Sequence, residues 1–140
     1  MIKESWKLWD PMKNLSKRYW VKDITLEKTI LSIELSPDKG LGSMLYMKFN
    51  NGIKAYRYTN ESFCFSKYGE LADKYPTERI FHWTFYKATN TEYIKLFLKQ
   101  SDTYDSAENL THFAILGLDE IVDIIATEEP IFTFEKSNDK

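Results

Sequence analysis

Cysteine is nearly absent: Cys64 stands alone in 140 residues, so no internal disulfide can close. A single thiol fits a reducing compartment. Histidine is almost as scarce, with only His82 and His112. Without an H-x-x-x-H or C-x-x-C spacing this set excludes the usual zinc frameworks, and no metal or cofactor is expected. Glycine occurs five times. Gly40-Leu41-Gly42 lacks the further glycine and the strand–turn–helix setting of a phosphate-binding loop. No apolar run approaches the roughly 20 residues of a membrane-spanning helix. The opening MIKESWKLWDPMKN has no continuous apolar stretch of the secretory-signal type, so a cytoplasmic protein is expected. No repeat, low-complexity tract or linker divides the chain. Residues 1–140 are therefore expected to form a single domain, with 137–140 as a frayed tail.

Aromatic residues are abundant, at 16% of the chain, which argues against disorder. The net charge is −2, unevenly spread: +2 over residues 1–39, +3 over 40–89 and −7 over 90–140. Such a balance gives no global attraction to nucleic acid, and Lys48, Lys54 and Arg57 make only a small basic patch. The acidic C-terminal third can steer a basic partner or serve only as a solvated face.

The densest apolar, β-branched sequence is LTHFAILGLDEIVDIIATEEPIFTFE, residues 110–135. It reads as a hairpin of His112–Leu116 and Glu120–Ala126 about Gly117–Asp119, then a break at Pro130 and a strand Ile131–Phe134. The register opposes Leu116 to Ile121, Phe113 to Ile124 and Ala114 to Asp123. One face then carries Phe113, Ile115, Val122 and Ile124, which should be core. The other carries His112, Ala114, Leu116, Ile121, Asp123 and Ile125, which is mixed and should be only partly covered. A helix from Asp119 also fits the isoleucine spacing. Four isoleucines and valines in five residues favour the strand.

Upstream, Leu8, Met12, Leu15 and Tyr19 fit one face of a helix capped by Asp10, with Pro11 in its first turn. Trp6, Trp9 and Trp20 should pack on the sheet or form an exposed aromatic patch. In residues 21–35 the apolar parity changes, which calls for a turn or bulge near Glu27-Lys28-Thr29 and gives a hairpin or one bent strand. Ser36–Gly40 is a turn. MLYMKF and IKAYRY flank Asn50-Asn51-Gly52, predicting a hairpin with Phe49 opposite Lys54 and Leu45 opposite Tyr58. Its other face, Tyr46, Lys48, Ile53, Ala55 and Arg57, should meet solvent or a partner. Residues 61–75 allow a short helix, against which Gly69 counts. Ile80–Lys87 reads as a strand. Thr89–Glu92 has capping-box spacing, followed by a helix with Tyr93, Ile94, Phe97 and Leu98 inward.

Few residues are of a catalytic type. A Cys–His pair could join only Cys64 with His82 or His112, and between Phe63 and Phe65 the thiol reads as buried and inert. His112 lies one diagonal step from Asp123 in the hairpin. A carboxylate there can orient an imidazole for proton transfer, or the two can form a structural hydrogen bond.

Several segments resemble small bacterial immunity-type proteins encoded beside secreted or contact-delivered toxins. They are Tyr56-Arg57 with Glu61-Ser62, Tyr93-Ile94 through Ser101, His112–Ile115, Asp119–Ile124 and Pro130. The resemblance spans roughly residues 20–134. It implies a single-domain inhibitor that acts by binding a toxin, without chemistry of its own.

The expected fold is α+β: a mainly antiparallel twisted sheet or partly closed β-barrel of about seven or eight strands, with one or two packed helices. The expected function is a non-enzymatic cytoplasmic binding protein that neutralises a basic protein partner. Its contact residues would be Asp119, Glu120, Glu128 and Glu129, on turns at the two ends of one strand. The alternative is a small-ligand carrier with an aromatic-lined cavity.

Overall fold

The computed structural model describes residues 3–40, 42–60, 65–101 and 106–135. The fold is α+β, with two antiparallel sheets that do not close into a barrel. Among the described residues the strands are β1 (Ser5–Leu8), β2 (Tyr19–Glu27), β3 (Ile30–Pro37), β4 (Leu45–Phe49), β5 (Ile53–Asn60), β6 (Phe85–Thr89), β7 (Thr111–Leu116), β8 (Glu120–Ala126) and β9 (Ile131–Phe134). The helices are α1 (Phe65–Lys74) and α2 (Glu92–Gln100). One sheet runs β1-β6-β7-β8-β5 and the other β2-β3-β4-β9.

The β7–β8 hairpin takes the expected register, Leu116 opposite Ile121, Phe113 opposite Ile124 and Ala114 opposite Asp123. Its apolar face meets the second sheet. Phe113, Ile115, Val122 and Ile124 pack with Leu31, Ile33, Leu35, Leu45, Met47 and Phe49. Rings cross this layer edge to face, Phe49 with Phe113 at 5.4 Å and Phe85 with Phe132 at 5.5 Å. The mixed face is fully buried, not half-covered as expected. Trp6, Tyr68 and Leu71 close over Ala114, Leu116 and Ile121. Tyr93 and Ile94 of α2 close over Ile125. A polar side chain in the middle of this face must then find its partners inside the protein.

The 45–58 hairpin does not form. β4 pairs with β3 and β9, while β5 pairs with β8. Asn50-Asn51-Gly52 carries the chain from one sheet to the other. Gly52 takes φ +82°, but Asn51 does not share the positive φ that a type I′ turn needs. The Thr127–Pro130 segment returns from β8 to β9 at the same corner, where the Thr127 amide donates to the Gly52 carbonyl at 2.9 Å. Pairing β5 with β8 sets strand against strand for seven residue pairs and buries the isoleucine-rich strand on both edges.

The helix expected around Pro11–Tyr19 is also absent. Leu8 packs on the helix side of the five-stranded sheet, whereas Met12, Leu15 and Tyr19 pack between the sheets, so the apparent stripe serves two layers. Arg18 pins this segment, donating to the carbonyls of Phe81, Leu116 and Gly117. Residues 19–37 form the hairpin option, turning at Lys28 (φ +59°), with a bulge at Lys22. The strand expected at Ile80 begins at Phe85, because Arg79 and Phe81 take positive φ. The cap of α2 is Thr91 rather than Thr89, which ends β6. Gly69 lies inside α1 with open space around its Cα. Trp6 is buried, Trp9 packs in the inter-sheet core and Trp20 is exposed. Glu61–Cys64 and the 137–140 tail lie outside the described residues.

Candidate functional site

Among the described residues, the polar cluster built of catalytic residue types grows directly from the β7–β8 register. That register sets His112 diagonally across from Asp123 on the covered face. β5 adds Arg57 opposite Asp123, α1 adds Tyr68, and the cap of α2 adds Thr91. His112 Nε2 lies 2.6 Å from Asp123 Oδ1, and His112 Nδ1 lies 2.8 Å from Thr91 Oγ1. The Tyr68 hydroxyl donates to Asp123 Oδ1 at 2.7 Å, and Arg57 Nε donates to Asp123 Oδ2 at 3.0 Å. The Arg57 guanidinium lies 4.0 Å over the Tyr93 ring. Trp6 and Tyr93 also meet the imidazole edge to face.

Burial alone would raise the Asp123 pKa. The hydrogen bond and charge of His112, the charge of Arg57 and the Tyr68 hydrogen bond outweigh it and hold the carboxyl at about 2. Asp123 is therefore an acceptor only, which places a proton on His112 Nε2. Burial works against the Arg57 charge, but Asp123 outweighs it and raises the guanidinium pKa.

A hydroxyl, an imidazole and a carboxylate in series can activate a nucleophile when the hydroxyl is open to substrate. Here Thr91, His112 and Asp123 are 2%, 1% and 0% exposed. Thr91 Oγ1 also accepts the Ile94 amide as the cap of α2. A depression of about 210 Å³, walled in part by Trp6, Leu71 and Glu92, reaches this residue from outside. The cluster joins both helices to β5, β7 and β8.

The acidic residues expected to meet a partner fall in two separate places. Asp119 is exposed at the β7–β8 turn, while Glu120 is half-buried beside Val21, Ile24 and Tyr58. Glu128 and Glu129 are exposed at the sheet-crossing corner. Glu129 pairs with the Lys87 ammonium, which lies 4.9 Å from the centre of the Trp9 ring. The two pairs stand at opposite ends of β8, roughly 20 Å apart at 3.4 Å per residue, and the fold does not bring them together.

No protein-family model matches the chain, and neither a curated protein nor a solved structure matches it. Among the described residues, no helix is long and apolar enough to cross a membrane.

Sequence reasoning missed one surface, the outer face of the β2-β3-β4-β9 sheet. Cross-strand pairing lines up Asp23, Glu34, Tyr46 and Thr133 in one row, and Thr25, Ser32, Lys48 and Ile131 in the next. These residues line an open groove of about 500 Å³. Tyr46 and Lys48 do face outward, as expected, but Arg57 does not share their surface, because β5 belongs to the other sheet. The alternation of Ser32, Glu34 and Ser36 with Leu31, Ile33 and Leu35 was a legible signal of one polar face. What β4 would add to it was not legible.

Proposed function

We propose that this chain is a non-enzymatic, cytoplasmic binding protein of the immunity type, which neutralises a basic toxin by occupying its surface. One contrast carries the reading. Thr91, His112 and Asp123 are buried in a cluster that serves the fold, whereas the carboxylates of Asp119, Glu128 and Glu129 stand outside on corners about 20 Å apart. Only a macromolecular partner reaches both corners at once. The alternative of an interior ligand cavity has less in its favour, since Phe49, Phe85 and Phe113 pack across the space between the sheets.

The test begins with the gene beside this one. Its product is expressed in a host with and without this chain, and the purified pair is studied by surface plasmon resonance at rising salt. Rescue of growth and one-to-one association that weakens with salt are expected. A neighbouring product that is toxic, is not rescued and does not associate even at low salt would refute the proposal.

A further inference from the structure

We infer that the open face of the β2-β3-β4-β9 sheet is a docking surface for a basic segment of a partner protein, with an arginine or lysine side chain seated beside Tyr46. This inference rests on the binding reading above and moves its centre away from the acidic corners. The central strands of the five-stranded sheet are covered on both faces, by the second sheet and by the helices, while Tyr56 and Tyr58 on its edge strand β5 stay exposed. The groove lies on the outer face of the four-stranded sheet, opposite the face that packs in the core.

Charge complementarity identifies the occupant. Asp23 and Glu34 are direct cross-strand partners on this face. Like charges placed opposite each other in a sheet destabilise it, and a cation bound between them removes that cost. Glu34 is in turn the direct partner of Tyr46. Partial desolvation, then the carboxylates of Glu135 and Glu34, raise the pKa of the Tyr46 phenol. Among the described residues that line the groove, the two carboxylates of Asp23 and Glu34 stand against one ammonium, that of Lys48 in the next row. An aromatic ring flanked by carboxylates is a recognition site for a guanidinium or ammonium group. The protein uses the same chemistry twice within itself: Arg57 lies between Tyr93 and Asp123, and Lys87 between Trp9 and Glu129. On the open face the cation comes from the partner. Ile131, 54% exposed at the groove margin, adds an apolar contact next to the Glu128–Glu129 corner.

The experiment titrates the ¹⁵N-labelled chain with two blocked pentapeptides, Gly-Arg-Gly-Arg-Gly and Gly-Glu-Gly-Glu-Gly, and follows amide shifts. The arginine peptide is expected to shift Thr25, Ser32, Glu34, Tyr46 and Thr133, and the glutamate peptide to leave them in place. The double variant Asp23→Asn/Glu34→Gln is expected to weaken arginine-peptide binding roughly fivefold while raising the melting temperature, since the like-charge pair is gone. A face that is merely solvated would give the thermal gain with no change in binding, and that result overturns the inference. So do shifts confined to Asp119, Glu128 and Glu129, or no shifts at all. Failure of the docking surface is distinguishable from failure of the proposed function. A double variant that still neutralises the neighbouring toxin at wild-type affinity removes the surface and keeps the function. Peptide shifts on this face without any toxin neutralisation do the reverse.

Discussion

Asp123 shows what one buried charge demands of its surroundings. Three side chains from three different elements are aimed at its two oxygens, and removing the charge strands Arg57 and His112. Asp123→Asn is expected to cost about 3–5 kcal/mol, measured by urea denaturation at pH 7. The sign of the pH dependence follows from the lowered pKa. Its contribution is present above the ordinary value of 3.8 and is lost as pH falls through about 2. That loss is about 2 kcal/mol by linkage. Acid titration of stability should show this step in the native protein, and the asparagine variant should lack it. Gly52 is the second residue with a defined cost. At φ +82° an added Cβ would lie 2.6 Å from Thr127 Oγ1 and 3.1 Å from the Glu128 amide nitrogen. Gly52→Ala should destabilise by more than about 1 kcal/mol, read as a lower urea midpoint with an unchanged slope.

At the scale of elements, α2 is held by more than its apolar side. Its apolar residues Tyr93 and Ile94 face the sheet, and Phe97 and Leu98 pack against the same cluster, while Lys95, Lys99 and Gln100 point outward, as their spacing predicts. Thr91 supplies the cap and also meets His112 Nδ1, so a single hydroxyl fixes both the start of the helix and its place on the sheet. Thr91→Ala should cost roughly 1–3 kcal/mol, more than an ordinary cap, because an imidazole nitrogen is left buried without its partner. Thr91→Ser should recover most of the loss. Amide hydrogen exchange along α2 reads both effects directly. Equal protection in the alanine variant would show that apolar packing alone seats the helix.

For the whole molecule, the two sheet crossings at Asn50–Gly52 and Thr127–Pro130 decide which surfaces are wet. They place β4 and β9 beside each other in one sheet and leave β5 at the edge of the other. They also set Glu128 and Glu129 at a corner beside Ile131 and the groove. Replacing Asp119, Glu128 and Glu129 by lysine should slow association with a basic toxin and flatten its salt dependence. The dissociation rate should change little if these corners only steer the partner. Glu120 is better left intact, since it is half-buried against Tyr58. Stopped-flow association at several ionic strengths separates the two rates, and unchanged kinetics would reduce the acidic corners to a solvated surface.

Local chemistry by itself determined the β7–β8 hairpin. Its β-branched residues, its turn and its parity all agree, so Phe113 opposes Ile124 and His112 comes within reach of Asp123 without help from elsewhere. The same holds for the inward side of α2, where periodicity is short-range, whereas near Lys28 the change of parity left a hairpin or one bent strand open and the structure takes the hairpin. Tertiary structure alone decided the fate of Asn51-Gly52 and of the Leu8–Tyr19 spacing. A turn signal fixes that the chain bends, but not which strand the bent chain then joins. β5 gains more by pairing with the isoleucine-rich β8, itself buried on both faces, than by folding back on β4. That long-range choice brought Arg57 to Asp123, left Tyr46 beside Glu34 on an open sheet, and so separated the sealed cluster from the surface left for a partner.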